Sequence, residues 1–376
     1  MTTTLRVVLD QLVTPTDADL AAASRELAGA LVDSAPAGCD VAAIAPTAGR
    51  DGGDGDVDVA GLTSVHRMAL ARRELAAAWQ LGVVAGVGGG LIHSPTLLAP
   101  LAKHDRVHDH DQTVVTLWDL RAWDAPDELP RASVVWSRTM LKRAEKHADA
   151  VVVPTHAMAQ RLAETTKLGE RLRVVSGAAP TGFAVPTDAV GRRRTLGIPE
   201  AVLVMSGDAS ASAGLEAGFR AIAPVDLPVV VLDVPEGEEP AVAELAAAAG
   251  IREGHVHARG ALEPGDRAAV LDAALALVAP SRRRGFPWRV VEALAAGVPV
   301  VAAASPDHAE VVLDGGLVVG DAMDSAGDAE AIGSVLSDAL ASGERLDRLA
   351  VLARDRGRAF SWREAGERIW QLHADL

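Results

Sequence analysis

The sequence predicts an α/β protein of two doubly wound domains, and three observations carry that prediction. Short β-branched runs alternate with longer alanine- and leucine-rich runs, the pattern of parallel strands covered by helices on both faces. The alternation lapses at residues 176–198, where proline, glycine and small residues replace any sustained period, and then it restarts. The 376 residues also exceed what one ordinary core organises.

Each element is read in turn. "LRVVL" (5–9) is a strand, "ADLAAASRELAGALVDS" has helical spacing, and "DVAAIAP" (40–46) is the next strand. "DGGDGDVDVA" (51–60) reads as a solvated loop, because it lacks the ligand order of a calcium loop. "MALARRELAAAWQLG" (68–82) reads as a helix, and "GVGGGLIHSP" (86–95) as a glycine-rich entry to a short strand. The latter is not a dinucleotide fingerprint, since Leu91 stands where a third glycine is needed. "TVVTLWDL" (113–120) is a buried strand; "RTMLKRAEKHA", "DAVVVPT", "HAMAQRLAETTKLG" and "RLRVVSG" continue as helix, strand, helix and strand. After the lapse come "AVLVMSG", "SAGLEAGFRAIA", "LPVVVLDV", "EPAVAELAAAAG", "HVHARG", "GDRAAVLDAA" and "LALVAPS". The expected limits are a first domain at 1–178, a linker at 179–198 and a second domain at 199–360. A last helix at 361–376 carries Trp362, Ile369 and Leu372 for packing back on the first domain. Such folds bind ligands at the carboxyl ends of their strands, so the expected site is a cleft between the domains.

Composition narrows the function. A net charge of −15 argues against a nucleic-acid partner, while leaving room for a local basic pocket. Cys39 is the single cysteine, which excludes an internal disulfide and a cysteine-rich metal site. No apolar run reaches the roughly 20 residues of a membrane span, and "MTTTLRVVLDQL" lacks the basic and apolar regions of a signal peptide. These facts fit a cytoplasmic protein, with loose peripheral contact at the inner membrane face as an extension.

The most informative stretch is "APSRRRGFPWRVVEALAAGVPVVAA" (279–303), a strand-to-helix junction with three arginines in an acidic chain. Together with its neighbours from 255 to 320 it resembles the donor-site order of retaining glycosyltransferases of family 4. That order is strand, "PS", a glutamate, "GF", a proline, a second glutamate, "A-x-G-x-P-V-V" and "EVV-DGGL". "RTMLKRAEKHADAVVVPTHAMAQRLAE" and "SRELAGAL" extend the likeness into the first domain. The resemblance implies a GT-B fold and a nucleotide-sugar donor, GDP- or UDP-linked. It also implies transfer with retention, no metal and no other cofactor. The acceptor would be a glycan or lipid-linked molecule, and mannose is the candidate sugar.

The same resemblance assigns residues. Glu292 takes the place of the glutamate that binds ribose hydroxyls, and a carboxylate accepts two hydroxyl donors well. Gly285 and Phe286 are the "GF" pair. Arg284, eight residues before Glu292, stands where the family has the sugar-contacting glutamate. In the loop "SGDASASAGL", after Gly207, Asp208 replaces the arginine and Ala213 the lysine that hold the diphosphate. Trp118 replaces a histidine near the reacting sugar, and Asp119 remains beside it. The loop before the first helix, "TPTDADLAAAS", has no glycine to let backbone approach phosphate. Two unit charges about 5 Å apart interact by about 3 kcal/mol at an effective dielectric near 20, so Asp208 beside a diphosphate costs several kcal/mol.

Two readings follow. In one, Arg282, Arg283 and Arg284 replace the lost cations, since a guanidinium fork suits diphosphate. In the other, they form an exposed basic turn paired with nearby acids. The protein would then be a silent homologue binding nucleotide or a partner glycosyltransferase. Among other residues, His308 lies in a loop that approaches the donor phosphates in the family. His93 reads as structural. His104, His108 and His110 read as a solvated loop and not a metal cluster. Trp123 and Trp288 are candidates for an acceptor surface, and Arg192, Arg193 and Arg194 read as solvent-exposed.

Overall fold

The computed structural model describes residues 2–48, 57–104, 111–320 and 325–376. Most of the 51–60 loop, and His108 and His110, lie outside the described residues. The chain divides into two compact units: Met1–Gly177 with Ser361–Leu376, and Ala178–Phe360.

The first unit holds seven strands: β1 (Thr3–Val8), β2 (Cys39–Thr47), β3 (Val65–Ala71), β4 (Leu91–Ser94), β5 (Gln112–Thr116), β6 (Ala150–Val153) and β7 (Leu172–Val174). They pair in the order β3-β2-β1-β4-β5-β6-β7, all parallel. Val8, Ile44, Leu75, Trp79 and Leu98 fill one core cluster; Leu101, Leu120, Met140 and Met158 belong to another. The helix Trp362–Asp375 packs on the helix Ala18–Asp33, where Trp370 Nε1 donates to Leu31 O at 2.9 Å. Gly366 permits that approach, because a Cβ there would lie 2.7 Å from Ala30 O. Ser361 caps the helix by accepting from Glu364 N.

The second unit holds six strands: β8 (Val202–Ser206), β9 (Val229–Leu232), β10 (Val256–Ala258), β11 (Ala274–Ala279), β12 (Val300–Ala303) and β13 (Gly316–Val319). Their order is β10-β9-β8-β11-β12-β13, again all parallel. Strand order reverses between β1 and β4 in the first sheet and between β8 and β11 in the second. Those are the switch points where loops diverge and leave room for ligand.

Two expectations need correction. Residues 68–82 are not one helix: Met68–Ala71 belong to edge strand β3, and the helix spans Arg72–Gln80. On that edge only Met68 is buried, so the strand shows too little apolar alternation to be read. The aperiodic stretch 179–198 contains a short helix, Ala189–Thr195. Arg192 and Arg193 are not free in solvent there: Arg192 pairs with Asp188 and Asp266, and Arg193 with Asp272. Arg194 is exposed.

Candidate functional site

In the second unit the loop after β8 and the chain after β11 are pressed together. Gly214 sits at φ +73°, and a Cβ there would lie 2.4 Å from Pro280 O. Gly207, at φ +134°, opens the loop, and Ala213 is buried in the turn Ala211–Ala213. Arg282 N donates to Ser212 O at 3.3 Å, which fixes the start of the arginine triplet on this loop.

The triplet is neither free nor simply exposed. Arg283 Nη2 reaches both oxygens of Asp208, at 2.7 and 2.8 Å, and its Nε donates to Ser212 Oγ at 2.8 Å. Burial acts to raise the Asp208 carboxyl, but hydrogen bonds from Arg283 and Ser210 outweigh it and hold it below its ordinary value. Arg282 Nε donates to the buried Asp328 at 2.7 Å, and Arg284 lies half-buried beside them. A guanidinium therefore sits on the loop position where the family resemblance led one to expect a cation, carried there from residue 283.

Glu292 is 2% exposed on the helix Trp288–Ala296. Arg267 clasps it, with Nη2 2.6 Å from Oε1 and Nε 3.0 Å from Oε2. Arg289, one helical turn earlier, adds Nη1 at 2.9 Å and binds Asp233 through Nε at 2.6 Å. Asp233 follows β9 in a left-handed backbone conformation, φ +61°. Sequence reasoning missed Arg267, Arg289 and Asp233. A signal was present: Arg267 heads the apolar stretch "AAVL" on its helix, and Arg289 stands three residues before Glu292.

Other candidates fall in the core. Phe286 is buried, edge-on to Trp288 at 4.7 Å and to Phe360 at 6.4 Å, so Trp288 packs against the "GF" turn. Gly285 lies between this aromatic cluster and the triplet. His308 is 4% exposed; its ring donates from Nδ1 to Ala303 O, and burial holds its pKa below the usual imidazole value. With that nitrogen engaged inside the fold, His308 reads here as a core residue.

In the first unit a pocket of about 560 Å³ opens at the carboxyl ends of β1, β4 and β5. Gln11, Thr96, Trp118 and Asp119 follow those strands and line it. Beneath lies Asp10, fully buried, bonded to Arg72 Nε at 2.7 Å and Gln11 Nε2 at 2.8 Å. Burial raises its pKa, and Arg72 and Gln11 pull against that rise. Trp118 is buried; its Nε1 donates to Pro95 O at 2.9 Å and its ring meets Trp362 edge-on at 6.1 Å. Asp119 accepts from Arg121 N at 2.9 Å, and Trp123 lines the same pocket.

His93 is buried in this unit. Its Nε2 shares a hydrogen bond with Thr116 Oγ1 at 3.0 Å, and its ring lies 5.8 Å from that of His373. His104 corrects an expectation: it is part-buried and donates to the Asp149 carboxylate at 3.0 Å. Among the described residues there is no cluster of three or more metal-ligating side chains, and no helix is long and apolar enough to cross a membrane.

Residues 200–338 match the family described as Glycosyl transferases group 1. A D-inositol 3-phosphate glycosyltransferase from Xylanimonas cellulosilytica is 34% identical over 206 residues, 50% of this chain. The match spans about half the length of that relative, 47%. Sucrose-phosphate synthase from Thermosynechococcus elongatus superposes with a TM-score of 0.76 at 19% identity, covering 99% of this chain and 98% of that one. Anabaena HepE, solved with UDP-glucose, superposes at 0.71 and 18% identity, covering 99% and 100%. The chain thus has the α/β architecture of GT-B proteins, two Rossmann-like units of seven and six parallel strands, and its second unit carries the match to group 1 glycosyltransferases.

Proposed function

We propose that this protein is a glycosyltransferase whose second unit binds a nucleotide-sugar donor, UDP- or GDP-linked. It transfers the sugar, mannose being one candidate, to a glycan or lipid-linked acceptor with retention. The observation that carries this reading is Arg283. A protein that had merely lost its diphosphate cation at position 208 would have no reason to bring a second guanidinium onto the same loop, held by Asp208 and Ser212. Arg283, with Arg282 and Arg284 beside it, is then the diphosphate ligand, stabilising charge on the leaving group. Glu292, held rigid by Arg267 and Arg289, presents its remaining lone pairs to the ribose. Gly207, Asp208 and Ala213 shape the loop. The protein works in the cytoplasm, with peripheral contact at the inner membrane face.

A second reading has its own observation. Trp118 stands where the family has a histidine, and its single polar hydrogen is committed to Pro95 O. A chain with no proton-carrying group there fits an inactive homologue that binds nucleotide or a partner glycosyltransferase.

Calorimetry of UDP, GDP and their sugar conjugates separates these readings. Micromolar binding of one nucleotide, weakened at least tenfold in Arg283→Ala, supports the donor site; hydrolysis or transfer of the bound sugar then favours the enzyme. No binding at millimolar concentration sinks both nucleotide readings and leaves partner binding.

A further inference from the structure

The carboxylate of Glu292 is closed off in a way that ribose binding alone does not explain. Arg267 Nη2 donates to Oε1 at 2.6 Å, and Arg267 Nε lies across both oxygens, 3.1 Å from Oε1 and 3.0 Å from Oε2. Arg289 Nη1 meets Oε1 at 2.9 Å. Oε1 therefore has no lone pair to spare, and Oε2 is shared with Arg267 as well. Arg267 is itself 7% exposed, so the pair is shut from solvent. A ribose diol brings two O–H donors and needs both oxygens, and it does not fit while Arg267 stays.

The two arginines are not equivalent. Arg289 stands on the same helix as Glu292, and a second carboxylate, Asp233, accepts from its Nε at 2.6 Å. It keeps that partner whatever Glu292 does. Arg267 comes from another helix, Pro264–Asp272, and its other hydrogen bond runs from Nη1 to Leu262 O, just before that helix. That bond lets the guanidinium leave Glu292 and still hold one acceptor. Leaving breaks a desolvated, charge-assisted pair, a cost that the incoming ribose hydroxyls must offset.

We propose that Arg267 is a gate on the ribose site. It closes over Glu292 in the free protein, and a nucleotide engages Glu292 only by displacing it, while Arg289 holds the carboxylate ready. The proposal rests on the reading of Glu292 as the ribose ligand, and it adds a residue that sets nucleotide affinity. Arg267 acts through Glu292, as a positioning residue.

The test is calorimetric titration of the full chain with UDP and GDP, and with their 2′,3′-dideoxy counterparts, which lack the diol. In the unaltered protein the better-binding diphosphate and its dideoxy form should differ by no more than about threefold, because release of Arg267 cancels most of what the diol gains. Arg267→Met, which keeps an apolar stem and removes the donors, should bind that diphosphate about ten- to a hundredfold more tightly and leave dideoxy binding unchanged. Adding Glu292→Gln to Arg267→Met should abolish the gain. Arg289→Met should act in the opposite direction, losing about three- to tenfold, because Glu292 then lacks its fixed anchor. A purely structural role would give both arginines the same sign and no dependence on the diol. A tenfold or greater preference for the diol in the unaltered protein, or no gain in a folded Arg267→Met, overturns the gate. The first of these outcomes needs no variant, so it decides the matter even where Arg267→Met fails to fold. Such a preference sinks this proposal and spares the donor site, whereas no binding of any of these nucleotides in any sample sinks both.

Discussion

The two switch points of this molecule are built in opposite ways. At the second, between β8 and β11, Arg283 is matched to Asp208 and Arg282 to Asp328, while Arg267 and Arg289 converge on Glu292. At the first, between β1 and β4, Asp10 and Arg72 are matched at the floor and Arg121 lies 3.7 Å from Asp119, while Arg73 is exposed and makes no ion pair among the described residues. Matched charges hold a site's shape before ligand arrives, because removing either partner leaves the other stranded. A leftover cation contributes little to the fold and is available for a ligand. A partnered cation such as Arg283 is held in place before ligand arrives, whereas an exposed, unpartnered one such as Arg73 is not.

The largest expected effect would break the comparison if it failed. Glu292→Ala takes from the buried Arg267 its carboxylate partner and leaves Arg289 with Asp233 alone, and it should cost roughly 3–5 kcal/mol in urea denaturation. Arg73→Ala should change stability by no more than about 0.5 kcal/mol in the same assay. Equal effects would mean that the two sites are not built differently.

Acidification probes the first unit's buried histidines. Burial holds His373 down to about 4, and burial plus the nearby His373 charge holds His93 well below its ordinary value. Folded pKa values below the unfolded ones give stability that is present above about pH 6.5 and lost as pH falls toward 4. Between pH 7.5 and pH 4.5 the urea midpoint should therefore fall by the equivalent of roughly 2 kcal/mol for His373 alone. His373→Phe should flatten that part of the profile.

Backbone geometry comes next. Gly214→Ala forces a Cβ against Pro280 O in a left-handed conformation and should cost about 2 kcal/mol, read as a drop in Tm. Asp208→Asn has the smallest expected effect and sharpens the comparison most. It turns a matched cation into a leftover one, so nucleotide diphosphates should bind about three- to tenfold more tightly, and less so at high salt.

Sequence pattern revealed the strands whose two faces are buried, because those are continuous apolar runs such as "VVVL" in β9. It failed at β3, an edge strand with polar neighbours, and at the helix Ala189–Thr195, which is short and held by arginine pairs rather than by an apolar stripe. The candidate site was legible as positions and not as pairs. Asp208 read as a departure, and the triplet as a replacement cation or a turn paired with unnamed acids; that Arg283 meets Asp208, across 75 residues, is seen only in the fold. Arg267 was passed over because its partner lies 25 residues away on another helix. A linear pattern reports periodicity within an element, whereas these contacts are made between elements.

Trp370 donates to Leu31 O across 339 residues, so the first unit is closed by a segment made after the second is complete. On a ribosome, residues 178–360 emerge with everything they need to fold, while the earlier unit still lacks its final helix. The order of synthesis is then the reverse of the order of completion. Until residues 361–376 appear, the face of the helix Ala18–Asp33 that Trp370 will cover stays open.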